Sequence, residues 1–167
     1  MLPLVLNPLK LRTGLAGRGE ALARRAALLA QAGVEAQLLS PGASDEVLAP
    51  LRLLFVAGLE EGEARHLAGR ARAFGVLVNV EDVLPLCDFH VPAIVRRGDL
   101  LLTVSTGGAV PGLARALREQ LADDFGPEWR ERLAVLARER ARFRSQGLTP
   151  AEVSQKVREL VVEKDWL

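Results

Sequence analysis

Leu51 to Ala57 reads Leu-Arg-Leu-Leu-Phe-Val-Ala, and from Leu53 onward it offers water no polar side chain on either face. Successive strand residues point to opposite faces, so a run of this kind has to be covered on both. That requirement points to the centre of a parallel sheet with helices packed above and below it. The flanking segments supply the helices. Glu20 to Ala32 carries Leu22, Ala26, Leu29 and Ala30 on one side, with Arg24 and Arg25 elsewhere, and Gly33 follows as a C-terminal stop. Glu60 to Phe74 is a second helical stretch, again closed by a glycine, Gly75. Further strands are expected at Leu11 to Ala16, Val34 to Leu39 and Val76 to Val80. The fold class is therefore α/β: a doubly wound parallel sheet with right-handed crossovers.

The pattern changes after residue 92. Ala93 to Val95 and Leu100 to Val104 flank Arg96-Arg97-Gly98-Asp99, which reads as a hairpin. Beyond Pro111 the periodicity is helical: Gly112 to Asp123, Glu128 to Gln146, and a third helix opened by Thr149-Pro150-Ala151-Glu152. There threonine is the N-cap, proline the first helical residue and an acid lies in the first turn. A net charge of +1 over 167 residues gives no general attraction to nucleic acid, and the arginine-rich helix at 138–144 carries a single aromatic, Phe143, and no series of stacking rings. One cysteine, Cys87, excludes an internal disulfide and a cysteine zinc cluster and fits a reducing cytoplasm. No apolar run approaches transmembrane length, so no membrane partner is expected.

Three motifs carry chemistry. Gly17-Arg18-Gly19-Glu20-Ala21-Leu22-Ala23 lies between a strand and a helix. Glycines there let a backbone approach a pyrophosphate whose charge the helix N-terminus meets, although two glycines at such a turn also occur without a ligand. The strand that follows ends in Leu39-Ser40-Pro41-Gly42, with no acid for a ribose, so Ser40, Pro41 and Gly42 would have to make those contacts. Asp82 lies just past the strand ending at Val80, on the side of an open sheet where ligands bind. It suits a general base, or by position alone a solvated loop acid or a helix cap, and Glu81 beside it suits a structural role. Ser105-Thr106-Gly107-Gly108 precedes a helix bearing Arg115 and Arg118. This reads as an anion nest with cationic support, or as a glycine-rich turn with exposed arginines. His66 and His90 stand alone, so no metal site is expected.

Taken in order, these pieces resemble the precorrin-2 dehydrogenase family, which includes the N-terminal half of siroheme synthase. The resemblance rests on Leu2-Pro3-Leu4, on Gly17 to Arg25, on Asn79-Val80-Glu81-Asp82 and on Phe89-x-x-Pro92-Ala93. It is strongest from Arg96-Arg97-Gly98-Asp99-Leu100 through Val104-Ser105-Thr106-Gly107-Gly108 to Pro111 and Leu113-Ala114-Arg115. The chain departs from the family where Arg18 replaces the middle glycine of a triple glycine, and where Ala57-Gly58-Leu59-Glu60 replaces Ala-Thr-x-Asp.

The resemblance implies a Rossmann-like parallel sheet as the NAD-binding domain over 1–92, a hairpin dimerisation region over 93–125 and a small helical C-terminal domain over 126–167. It implies oxidation of precorrin-2 to sirohydrochlorin with NAD as hydride acceptor, by a cytoplasmic homodimer. In some members the same cleft also inserts ferrous iron. Asp82 falls on the catalytic aspartate. Gly17, Gly19, Glu20, Ala21, Ser40, Pro41, Gly42, Ala57, Asn79 and Val80 fall on the cofactor side. Ser105, Thr106, Gly107, Gly108 and Arg115 fall on the tetrapyrrole side. A non-catalytic, NAD-sensing module built on the same domain is the alternative.

Overall fold

The computed structural model describes residues 2–167. It divides into two compact units, one ending at Val91 and the other starting at Pro92. In the first, four parallel strands alternate with helices: β1 (Thr13–Gly17), α1 (Gly19–Gln31), β2 (Ala36–Leu39), α2 (Asp45–Leu48), β3 (Leu53–Ala57), α3 (Glu61–Ala73) and β4 (Leu77–Val80). The strand order is β2-β1-β3-β4. The chain leaves β1 toward one edge and returns past it to β3, so the order reverses between β1 and β3. The carboxyl ends of those two strands flank a topological switch point, where open α/β sheets bind ligands.

All five residues of β3 are buried, as the apolar run from Leu53 requires. Leu53 and Phe55 face Leu15 and Leu29 on the α1 side, with Leu22 and Ala26 against them. Leu54 and Val56 face the other side, where Ala64, Leu67, Ala68 and Ala71 of α3 and Leu48 of α2 cover them. The alanines bring the helix close to the sheet, and the resulting close packing is where much of the unit's stability resides.

Both predicted glycine stops are present. Gly33 (φ +72°) and Gly75 (φ +74°) end their helices in the left-handed conformation. In each case the next residue donates back over the last turn, Val34 N to Leu29 O at 2.9 Å and Val76 N to Ala71 O at 3.3 Å. Three expectations shift. Residues Pro8–Lys10 form a 3-10 turn capped by Asn7, so β1 starts at Thr13 and not at Leu11. The turn at Gly33 delays β2 to Ala36. The four-residue α2, behind Ser44, was not expected, because one turn shows no periodicity.

The second unit holds an antiparallel pair, β5 (Ala93–Arg97) and β6 (Leu100–Val104), and three helices, α4 (Pro111–Asp124), α5 (Trp129–Ser145) and α6 (Pro150–Glu163). The hairpin turn is tighter than expected: Arg97 pairs with Leu100, so Arg96 and Arg97 belong to the strand and only Gly98-Asp99 turns. Gly98 (φ +63°) is the first turn residue, as a type II′ turn requires. Arg132 lies between the rings of Trp129 and Trp166, 5.1 and 5.4 Å from their centroids, and joins α5 to the C-terminus. The capping box at Thr149 forms as read: Thr149 N donates to the Glu152 carboxylate at 2.8 Å and Glu152 N to Thr149 Oγ1 at 3.4 Å. The Thr149 hydroxyl and amide hold the Glu152 carboxyl below its usual range. No helix among the described residues is long and apolar enough to cross a membrane.

Candidate functional site

The turn after β1 is shaped by two glycines for different reasons. A Cβ on Gly17 would lie 1.8 Å from the carbonyl oxygen of Ala57, so β1 and β3 reach their close approach only with glycine there. Gly19 has φ +62°, and a Cβ on it would meet nothing within 4 Å. The space above this turn is therefore open, and the first amides of α1 lack helical partners by construction. Between the two glycines, Arg18 is extended (φ −146°, ψ 159°) and donates N–H to Ala57 O at 3.1 Å. Its guanidinium grips Glu63, in the first turn of α3, through two hydrogen bonds of 2.7 and 2.8 Å. Those bonds and the carboxylate charge raise the Arg18 pKa above its ordinary value. Glu20 extends outward beside Arg24 at 3.7 Å.

The end of β4 presents the acidic pair. Asp82 has φ +61°, in a turn closed by Val83 N donating to Val80 O at 3.3 Å. Aspartate is among the few non-glycine residues that accept this conformation, and the turn leaves its side chain exposed. Glu81 turns inward instead and meets Arg25 of α1 at 3.6 Å, both side chains being mostly buried. Arg25 in turn covers the Phe55 ring, 5.5 Å from its centroid. The two adjacent acids thus divide their roles: Glu81 ties β4 to α1, and Asp82 is left to solvent or a ligand. Asn79 is buried and donates to Phe89 O at 2.9 Å, while its Oδ1 has no partner among the described residues. Val80 bonds the Cys87 thiol on both sides, N–H to Sγ at 3.3 Å and Sγ–H to its own carbonyl at 3.1 Å.

At the end of β2, Ser40-Pro41-Gly42 forms a turn in which Ala43 N donates to Ser40 O at 3.0 Å. The nearest following acid, Asp45, is held by Arg70 Nε at 2.9 Å. The Ser40 hydroxyl and the turn backbone are then the polar groups free for a ribose. The carboxyl end of the sheet thus gathers Gly17, Gly19, Glu20, Ala21 and Ala57 at the switch point, with Ser40, Pro41 and Gly42 after β2, and Asn79, Val80 and Asp82 at the end of β4. These residues fit a dinucleotide: an open glycine turn for its pyrophosphate, a neutral ribose end and a carboxylate past the end of β4. A cavity of about 320 Å³ lined by Arg12, Thr13, Gln37 and Leu51 lies at the opposite, amino-terminal end of the strands.

In the second unit the Ser105–Gly108 loop is more self-satisfied than a free anion nest. Ser105 Oγ accepts from Gly107 N and Thr106 Oγ1 from Val110 N, each at 3.3 Å, while Ala109 N donates to Thr106 O at 3.1 Å. Arg115 and Arg118 both hold Glu119, at 3.1 and 3.0 Å, and the bond from Arg115 leads in keeping the Glu119 carboxyl below its usual range. Arg97, at the end of β5, donates to Phe125 O at 2.7 Å and Ala122 O at 3.0 Å, satisfying the last carbonyls of α4. The Arg18–Glu63 and Arg25–Glu81 pairs were not read from the sequence, since no local spacing links partners so far apart in the chain. Among the described residues no group of three or more His, Cys, Asp or Glu is placed to hold a metal.

Comparison with known proteins agrees with this geometry. Residues 4–93 match the family described as putative NAD(P)-binding. The chain is 32% identical to a siroheme synthase of Nitrosococcus oceani, over 87% of this chain and 34% of the relative. It is 36% identical to that of Pseudomonas fluorescens, over 89% and 36%. The chain thus spans about a third of the length of these curated relatives. Among solved structures, "SirC, precorrin-2 dehydrogenase" shares the fold, with a TM-score of 0.71 and 20% identity over 96% of this chain and 89% of that one. The chain therefore belongs to the putative NAD(P)-binding family whose pattern its first unit matches.

Proposed function

We propose that the protein oxidises precorrin-2 to sirohydrochlorin with NAD as acceptor, in the siroheme pathway its relatives' names indicate. The observation that carries this reading is the pairing of an open glycine turn at the switch point with an exposed carboxylate, Asp82, at the end of β4. NAD, when bound, supplies the acceptor for a hydride. The chain's residues do the rest. The turn at Gly17–Ala21 holds the pyrophosphate, with Ala57 beside it, while Ser40, Pro41 and Gly42 take the ribose end. Asn79 and Val80, at the end of β4, would line the nicotinamide side. As a hydride leaves the macrocycle a proton is released, and the Asp82 carboxylate accepts it; the oxidation balances as two electrons and one proton to NAD and one proton to Asp82. Ser105, Thr106, Gly107, Gly108 and Arg115 recognise the carboxylates of the tetrapyrrole, Arg115 exchanging Glu119 for a substrate carboxylate. Ferrous iron is a second substrate in this reading, with Asp82 accepting pyrrole protons as the metal enters. The free thiol of Cys87 fits a reducing cytoplasm.

The deciding measurement is anaerobic incubation with precorrin-2 and NAD. NADH absorbance is expected to rise in step with sirohydrochlorin. NAD binding without any NADH formation would sink the enzymatic reading and favour a non-catalytic, NAD-sensing module. Sirohydrochlorin with ferrous iron and no NAD tests iron insertion separately.

Residues 93–125 are proposed as the dimerisation region. A two-stranded sheet leaves both edges unpaired and is marginal by itself. Leu113 and Leu117, one turn apart on α4, are 49% and 43% exposed, an apolar stripe suited to a second copy. Sedimentation equilibrium is expected to give twice the chain mass of 18.1 kDa, and a monomer at tens of micromolar would remove this assignment.

A further inference from the structure

We propose that Arg18 is a switchable phosphate contact, parked on Glu63 in the empty protein and transferred to the dinucleotide pyrophosphate on binding. The proposal rests on the nicotinamide-dinucleotide reading above and concerns how that site is controlled. Arg18 leads directly out of β1 and Glu63 lies in the first turn after β3, so their ion pair spans the switch point at the carboxyl end of the sheet. The guanidinium therefore stands beside the open space over Gly19, where the glycine turn would receive a pyrophosphate. Its backbone is pinned by the bond to Ala57 O and by the close packing of Gly58, whose Cβ position lies 2.4 Å from Arg18 O. Only the side chain is free to move.

Two features make the pair exchangeable. The Arg18 side chain is 59% exposed and that of Glu63 33%, so water screens their attraction and the bond is individually weak. A pyrophosphate offers the same planar fork two charges and several oxygens, a better bidentate partner than one carboxylate. The pair thus occupies Arg18 in the empty protein, and a ligand has to draw Arg18 away from Glu63 to bind fully. An uncharged nucleoside cannot do this, so the arrangement selects for phosphate.

A double-mutant cycle on the full chain, read by calorimetric titration with NAD, tests this without reference to turnover. Arg18 has an extended backbone that alanine accepts, and Glu63→Gln keeps the shape while removing the charge. Arg18→Ala is expected to loosen NAD roughly tenfold, the size of one charge-assisted hydrogen bond. Glu63→Gln is expected to tighten it roughly threefold, since an exposed ion pair no longer competes. In the Arg18→Ala background, Glu63→Gln is expected to change nothing. Equal tightening in both backgrounds would mean that Glu63 simply repels the phosphate, and the switch is overturned. Loosening by Glu63→Gln would mean that the pair is a structural staple, and overturns it too. Absence of NAD and NADP binding in all four proteins, each with an intact melting transition, would bring down the dinucleotide reading and the switch with it.

Discussion

Asp82→Asn is expected to lower anaerobic NADH formation from precorrin-2 by roughly a hundredfold or more, the usual contribution of a positioned acid–base group. NAD affinity and melting temperature are expected to stay as they are. The substitution is informative because of the backbone. Asp82 has φ +61°, a conformation that asparagine tolerates and alanine does not. Asparagine therefore preserves the turn after β4 and removes only the charge, whereas Asp82→Ala would mix lost chemistry with strain. The neighbouring acid provides the contrast. Glu81 is committed to Arg25 beneath the Phe55 ring, so Glu81→Gln should cost stability before it costs rate. Full activity in Asp82→Asn would remove the residue from the mechanism.

Gly17→Ala is expected to destabilise the first unit by about 3 kcal/mol, the upper range for forcing extra atoms into a packed contact. A Cβ there would sit 1.8 Å from Ala57 O and 2.9 Å from Ala57 C, both backbone atoms of the central strand. Nothing flexible can yield, so the carboxyl ends of β1 and β3 must part and the bond from Arg18 N to Ala57 O must stretch or break. Dinucleotide binding should fall together with the melting temperature. Gly42→Ala is the control: its Cβ would meet nothing within 4 Å, and stability should not change. An unaltered melting curve for Gly17→Ala would show that the two strand ends are not held at this distance.

What could be read from the chain follows from the range of the forces involved. The burial of β3 on both faces, the glycine stops at Gly33 and Gly75 and the capping box at Thr149 depend on neighbours a few residues apart, and each was visible in the sequence. The placement of Asp82 past a strand end was equally local. The start of β1 shifted because Asn7 caps a short turn, drawing Pro8–Lys10 out of extended conformation. The role of Arg97 was not legible because its partners, the carbonyls of Ala122 and Phe125, lie a helix away. The same holds for Arg18: a residue at the middle position of a glycine motif reads as a departure until Glu63 is seen to receive it. The bonds by which the Ser105 and Thr106 hydroxyls accept from amides of their own loop were not legible either; each hydroxyl keeps its proton to donate to a ligand.

The far side of β4 bears on how this protein can associate. Val78 and Val80 direct their backbone groups away from β3, as an outermost strand must, yet these groups are not left bare. Asp88 receives Val78 N on its carboxylate and returns its own N–H to Val78 O, both at 2.8 Å, while the Cys87 thiol serves Val80. Arg72 locks the arrangement by bonding Asp88 at 2.9 Å and Leu86 O at 2.7 Å. Side chains thus imitate a fifth strand without offering an outer rim for a sixth. A sheet sealed in this way can recruit a foreign strand only along β2, so at the β4 border the chain is protected from runaway edge-to-edge stacking.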